Sequence, residues 1–202
     1  MELVTASSLP PAAVDAVREI YEDAFDPRLR SSFENLLADP MFVLLDGGQP
    51  QGFAVLRALG PTGWIFLRYF AAGRRGQGVG SRLWVALAAR LASDGYTRII
   101  WDVEDPDEPG AEDAEDRRRR IVFYTRLGGA VLPVPDYHMP DGDQAFPMRL
   151  LAADLGVSGS SSSEEPIVDD ELRRVVTAVF RWRYRLDEGH PLVVAALASA
   201  GR

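Results

Sequence analysis

The 202-residue sequence contains no cysteine and only two histidines, and all 22 of its basic residues are arginine. The missing cysteines exclude disulfides, thiolate metal sites and a thiol nucleophile. His138 and His190 lie far apart in the chain, so an imidazole-based metal site is not expected, and both read as loop or surface residues. No stretch approaches the length of a membrane span. The start, Met1-Glu2-Leu3-Val4-Thr5, lacks the basic and apolar regions of a signal peptide, which makes the expected location cytoplasmic. Positive charge is also scarce: 22 basic residues face 30 acidic ones, for a net charge of -8. That balance speaks against general nucleic-acid binding, which needs a basic surface, and is compatible with a cationic partner.

What is present fits a folded domain. Hydrophobic residues make up 47% of the chain and charged residues 26%, as in ordinary globular proteins. After a short opening strand, Ser8 is the expected N-cap of a helix with Pro10 and Pro11 in its first turn. Val14, Val17, Ile20, Tyr21, Ala24 and Phe25 recur at helical spacing, and a second short helix is expected over 32–38. Three strands follow at 41–45, 51–59 and 64–71, separated by turn-forming Asp46-Gly47-Gly48 and Gly60-Pro61-Thr62-Gly63. A glycine-rich loop, 73–80, leads into a helix with Leu83, Trp84, Leu87, Ala88 and Leu91 on one side, stopped by Gly95. A strand at 97–103, an acidic loop at 104–116, a helix at 117–127 and strands at 130–134 and 145–151 complete the pattern. This makes a mixed α/β domain over 1–153, then a Ser/Gly-rich linker at 154–166. A helical C-terminal extension, 167–202, reads as a separate unit, with Leu172, Val175, Val176, Val179 and Phe180 on one face.

The segment most able to carry chemistry is Arg75-Gly76-Gln77-Gly78-Val79-Gly80, between a strand and a helix start. Glycines there let the backbone approach a ligand closely, and the helix dipole favours an anion such as a pyrophosphate. A plain tight turn uses the same residues. A Walker A loop is excluded because no Gly-Lys-Ser/Thr follows. A dinucleotide-binding start requires a parallel unit and an acid after the next strand. The preceding strand lies in an antiparallel run, but Asp102 and Glu104 are present, so that alternative stays open.

The segment resembles motif A of the general N-acetyltransferase (GNAT) superfamily, Arg/Gln-x-x-Gly-x-Gly/Ala, with Arg75, Gly78 and Gly80 at its fixed positions. The order of elements over residues 1–151 is also that family's. Phe123-Tyr124-Thr125-Arg126-Leu127-Gly128 resembles its Phe-Tyr-x-x-x-Gly segment. The resemblance implies a central mixed sheet of about seven strands flanked by about four helices, and acetyl-coenzyme A as co-substrate. It also implies diphosphate binding by Arg75, Gly76, Gln77, Gly78, Val79 and Gly80, and pantetheine pairing with the backbone of Tyr69, Phe70 and Ala71. By the same resemblance Tyr124 becomes the acid that protonates the departing thiolate. One departure is Gly129, where relatives carry an apolar residue; it puts the local strand packing in question.

Direct transfer from an acyl thioester to an amine needs a base, and no acyl-enzyme, in keeping with the missing cysteine. Glu104 is the first choice for the base and Asp102 the second, on the same side of the strand by alternation. The acidic loop reads first as a solvated surface and second as a lure for a cationic acceptor such as a polyamine, amino sugar or basic peptide. Glu115 and Asp116 suit the N-terminus of the next helix. Of the four arginines 117–120, some are expected to bond the loop and others to reach cofactor phosphates. Tyr21, Phe25 and Phe33 are acceptor contacts or core, and Tyr137 and His138 read as loop residues. The tail packs on the catalytic domain or joins two subunits as a homodimer. The function these features imply is N-acylation of a small-molecule or peptide amine, with no metal, nucleic acid or membrane. The alternative is a non-catalytic module that binds acyl-coenzyme A.

Overall fold

The computed structural model describes residues 1–27, 30–74, 76–156, 167 and 169–201. Beyond residue 156 the expected linker lies outside these. Contacts divide the chain into two compact units, Met1–Arg57 with Leu67–Asp94, and Ala58–Phe66 with Gly95–Arg202.

The first unit begins with β1 (Glu2–Thr5), α1 (Pro11–Ala24), α2 (Phe33–Leu37), β2 (Met41–Asp46) and β3 (Gln49–Ala58, all but its last residue). It also holds the C-terminal part of β4 (Trp64–Ala72) and α3 (Val79–Ser93). Its strands run β1-β2-β3-β4, with β1 and β3 antiparallel to β2. The cap of α1 is Pro10, not Ser8. The Ser8 hydroxyl instead donates to the Thr5 carbonyl at 2.7 Å within a 3-10 turn, and α1 begins without a side-chain cap. Pro11 then starts the helix where a missing N–H costs nothing. Ser32 does cap α2, accepting from the Asn35 amide at 3.3 Å. Val17, Tyr21, Phe33 and Leu36 pack with Val43, Phe53, Val55, Tyr69 and Ala71 in one apolar cluster, so Tyr21 and Phe33 are core. Phe25, partly buried, packs against the same cluster.

The second unit holds the start of β4, then β5 (Arg98–Glu104), α4 (Ala114–Arg126), β6 (Ala130–Val131), β7 (His138–Asp141) and β8 (Gln144–Asp154). The strands run β4-β5-β8-β6, with β7 also paired to β8. β4 and β5 are parallel, Trp64–Phe66 against Arg98–Ile100, whereas β5 and β8 pair antiparallel over seven residues. With β1 to β3 this makes eight strands among the described residues rather than about seven. The additional strand is β7, expected as a loop, whose Pro140 and lack of alternation hide an edge strand. β6 is shorter than expected. Leu132 still donates to the Leu150 carbonyl at 2.8 Å, but Pro133 has no N–H to continue the ladder.

Residues 169–200, set apart by sequence as an extension, form α5 (Asp169–Ala178), a π-helical segment (Val179–Tyr184) and α6 (Pro191–Ser199). Their apolar stripe of Leu172, Val175, Val176, Val179 and Phe180 is buried with Phe66, Ile100 and Leu150 in the core of the second unit. Arg98 adds ion pairs to Asp154 at 2.7 Å and Glu171 at 2.9 Å, linking β5 to both neighbours. No helix among the described residues is long and apolar enough to cross a membrane.

In the first unit Asp39 holds two guanidinium groups. Arg57 donates at 2.8 Å and Arg68 forms a second ion pair, with the Arg68 side chain only 5% exposed. Removing the shared carboxylate leaves a buried Arg68 and a partly exposed Arg57 close together without the acid that joins them. Asp39→Ala is expected to lower stability by about 3 kcal/mol, read as a drop in the urea midpoint at unchanged slope.

Candidate active site

The glycine-rich loop lies in the first unit. Gly76 and Gly78 have φ of +79° and +67°, the left-handed region where a side chain is strained. Gly78 is the N-cap of the 15-residue α3, and no side chain caps it. Val79 turns inward and packs with Leu44 and Leu83, anchoring the helix start, while Gly76, Gln77 and Gly78 are exposed. The first amides of the helix therefore have no side-chain acceptor among the described residues. Arg82, one turn on, donates to the Gln77 carbonyl at 2.7 Å and adds a cation beside the loop. Such a start suits an anion of diphosphate size. Gly80 follows in the first turn; Arg75 lies outside the described residues.

Tyr69, Phe70 and Ala71 belong to the part of β4 beyond its pairing with β5. Their side chains are committed to packing. The Tyr69 hydroxyl accepts from the Ser31 amide at 3.2 Å, Phe70 meets Trp84 edge-on at 6.0 Å, and Ala71 is buried. What they can offer a ligand is main chain.

The ionisable candidates lie in the second unit, around β5. Alternation sends Trp101 to one face and Asp102 and Glu104 to the other. Tyr124 packs on the Trp101 ring with centroids 4.8 Å apart and is buried. Burial pushes its hydroxyl well above the ordinary phenol range, and the Arg120 charge opposes that rise. Arg120 and Tyr124 are four residues apart on α4 and so share a face. Arg120 also forms an ion pair with Glu104.

Asp102 is more enclosed. Its Oδ2 accepts hydrogen bonds from Tyr137 at 2.9 Å and Tyr184 at 2.5 Å. Desolvation raises its carboxyl above the usual range, against the two phenol bonds and the nearby Arg183 charge. Tyr137, expected as a loop residue, is fully buried. His138 is partly exposed, its Nδ1 3.1 Å from the Asp136 carbonyl. His190 caps α6 by accepting from the Leu192 amide at 3.3 Å.

The arginine run does not divide as expected. Arg117 pairs with Glu108 and Asp113, Arg118 with Asp107, Arg119 with Glu115 and Asp116, and Arg120 with Glu104. Each of the four finds an acid in or beside the loop. Glu115 and Asp116 fill the first turn of α4, which starts at Ala114 rather than Arg117.

A family model described as the acetyltransferase (GNAT) family matches residues 12–128, more than half of the chain. The chain belongs to the GNAT acetyltransferase family. No curated protein matches it by sequence. Solved structures share the GNAT fold. An aminoglycoside 6'-N-acetyltransferase complexed with coenzyme A is 16% identical, covering 79% of this chain and 99% of that one, with a TM-score of 0.58. The ribosomal-protein-S18-alanine N-acetyltransferase from Escherichia coli is 19% identical, covering 79% and 98%, with a TM-score of 0.53. A GNAT-family structure from Bacteroides thetaiotaomicron is 23% identical and covers 93% and 100%, with a TM-score of 0.62. At these identities the likeness is one of fold.

Two features of this GNAT chain were not legible in its motifs. Tyr184 carries one sequence signal, an aromatic four positions beyond Phe180 that continues the apolar stripe. Gly129, the departure from the GNAT pattern, has a steric cause. A Cβ there would lie 2.9 Å from the Trp101 ring and 3.0 Å from the Tyr124 carbonyl oxygen. The indole that supports Tyr124 occupies that space. Gly129→Val is expected to cost about 2 kcal/mol of stability, seen as a lower Tm, and to displace the Trp101 ring, seen as a changed tryptophan emission.

Proposed function

We propose that the protein transfers an acetyl group from acetyl-coenzyme A directly to an amine, without an acyl-enzyme intermediate. The observation that carries this reading is the uncapped start of α3 behind left-handed Gly76 and Gly78, within a chain of the acetyltransferase family. Amides from Gly76 to Gly80, with Arg75, hold the diphosphate, and the main chain of Tyr69 to Ala71 pairs with pantetheine. The sequence supplies no thiol on which an acyl-enzyme would form.

An ammonium acceptor must lose two protons to become an amide. A carboxylate, Glu104 or Asp102, takes the first and passes it to solvent, freeing the lone pair that attacks the thioester carbon. As the carbon–sulfur bond breaks, the Tyr124 hydroxyl protonates the thiolate. The resulting phenolate recovers its proton from the nitrogen of the adduct. At neutral pH the Tyr124 hydroxyl carries a proton to give, as a free phenol does, and burial holds that proton more tightly until the thiolate forms beside it. Trp101 with Tyr124 packs on one face of β5, and Asp102 with its phenol partners lies on the other, which keeps Tyr124 apart from that carboxylate. The acceptor is a small-molecule or peptide amine that arrives as a cation.

Thiol release from acetyl-coenzyme A in the presence of polyamines, amino sugars and basic peptides tests this reading. Tyr124→Phe is expected to lower kcat by about 10²-fold or more while leaving coenzyme A affinity intact. Gly78→Leu is expected to abolish coenzyme A binding in a protein that still melts cooperatively. Tight binding with no thiol release across the whole panel would instead identify a non-catalytic acyl-coenzyme A module.

A further inference from the structure

Of the two carboxylates that alternation puts on one face of β5, Glu104 is already engaged, so an incoming ammonium has to compete with Arg120 for it. Asp102 is held differently. Both phenol bonds land on Oδ2, and among the described residues no hydrogen bond is made to Oδ1. The residue remains partly exposed. The two phenols come from separate parts of the second unit, Tyr137 from the segment before β7 and Tyr184 from the π-helical segment.

Tyr184 is firmly placed for this bond. Its ring lies 6.1 Å from Phe180 and 6.4 Å from Phe66, and the Arg183 guanidinium stands 4.8 Å from the ring centre. The next residue, Arg185, takes a left-handed φ of 60°, uncommon without glycine. Its amide and that of Leu186 both bond to the Phe180 carbonyl, closing the wide turn that ends in Tyr184. π-helical turns and left-handed non-glycine residues concentrate at functional sites.

We propose that Asp102 Oδ1 takes the proton of the acceptor ammonium, and that Tyr137 and Tyr184 position this carboxylate through Oδ2, so that the C-terminal helices complete the catalytic centre. The inference rests on the acetyl-transfer reading. In that step the N–H bond breaks, the Oδ1–H bond forms, and the nitrogen lone pair is freed for the thioester carbon. Desolvation brings the carboxyl closer to neutrality, where a base is most effective. The groups acting on Asp102 are Tyr137, Tyr184 and Arg183, which favour its ionised form, and Glu104, which disfavours it. Tyr124 on α4 also feels its charge. Two hydroxyls fixed on one oxygen leave the other as the acceptor of a new proton.

The test is the pH dependence of kcat/KM for the full-length protein, using acetyl-coenzyme A and the best amine of the panel, with coenzyme A affinity measured in parallel. Asp102→Asn is expected to lose about 10²-fold or more in kcat with coenzyme A affinity unchanged. In Tyr184→Phe one donor to the ionised carboxylate is gone, so the base is reached only at higher pH. The acid limb of the profile moves up by roughly 0.5–1 pH unit, and kcat falls by about tenfold. A tyrosine serving packing alone would leave the limb in place. Tyr137→Phe removes the partner bond and is expected to shift the limb in the same direction, so the test survives if one variant fails to fold. Active wild type with both phenylalanine variants showing its rate and its limb would overturn the inference and leave the transfer reading standing. Asp102→Asn keeping more than about a tenth of the rate would do the same. Wild type that releases no thiol with any amine would overturn both.

Discussion

The two-residue period of β5 is the constraint on which the second unit depends. Seven of its residues pair with β8, so the strand cannot rotate or slip without moving every side chain to the other face. That register commits Trp101 to one face, where Tyr124 packs on it, and Ile100, Asp102 and Glu104 to the other. A thioester carbon must meet a nucleophile and release a thiolate, and the two events need a base and an acid in separate places. On the proposed reading, a single strand with opposite commitments at adjacent residues supplies that separation at no cost in chain length.

The second consequence of that register is a carboxylate directed toward an apolar core. A desolvated acid without donors is costly, and nearby chain is held in the geometry that supplies them. Here the donors are two phenols that bring aromatic surface with their hydroxyls, so satisfying Asp102 also packs Tyr137 against Phe180 at 5.4 Å and Tyr184 against Phe66. The stripe of α5 and the polar site are thereby coupled: the face that buries Val176 and Phe180 also delivers Tyr184. A tail that merely covered apolar surface would need only the stripe.

Sequence reading went far where periodicity or glycine chemistry is local. The order of strands and helices, the loop before α3 and Phe123-Tyr124 at the family spacing were all visible, because spacing and φ preferences are written in neighbouring residues. Boundaries failed where long-range contacts override local preference. Ser8 looked like a cap, but its hydroxyl is drawn back to Thr5. β7 lacks alternation and forms because β8 is there to pair with. The acid–phenol cluster was invisible for the same reason. Asp102, Tyr137 and Tyr184 are separated by whole elements, and nothing near Tyr184 in sequence marks it as a partner for an acid. Gly129 shows the reverse: a departure from the family pattern was plain, while its cause, the Trp101 ring, needed the fold.

Most acids of the loop before α4 find their partners within the chain. The loop from Glu104 to Asp116 carries eight acids, which by composition resemble a lure for cations. Arg117 to Arg120 are matched to that loop and to the start of α4, and Arg149 adds bonds to Asp105 and Asp107. A field built from paired charges falls off quickly, and most of these pairs are solvent-exposed and further screened by salt. On the proposed reading, a preference for a cationic amine has to arise at short range. Asp102 is suited to exert it, because desolvation strengthens its attraction to a single ammonium while leaving distant cations nearly unaffected. On this argument salt affects the acceptor little, whereas a change at Oδ1 affects it strongly.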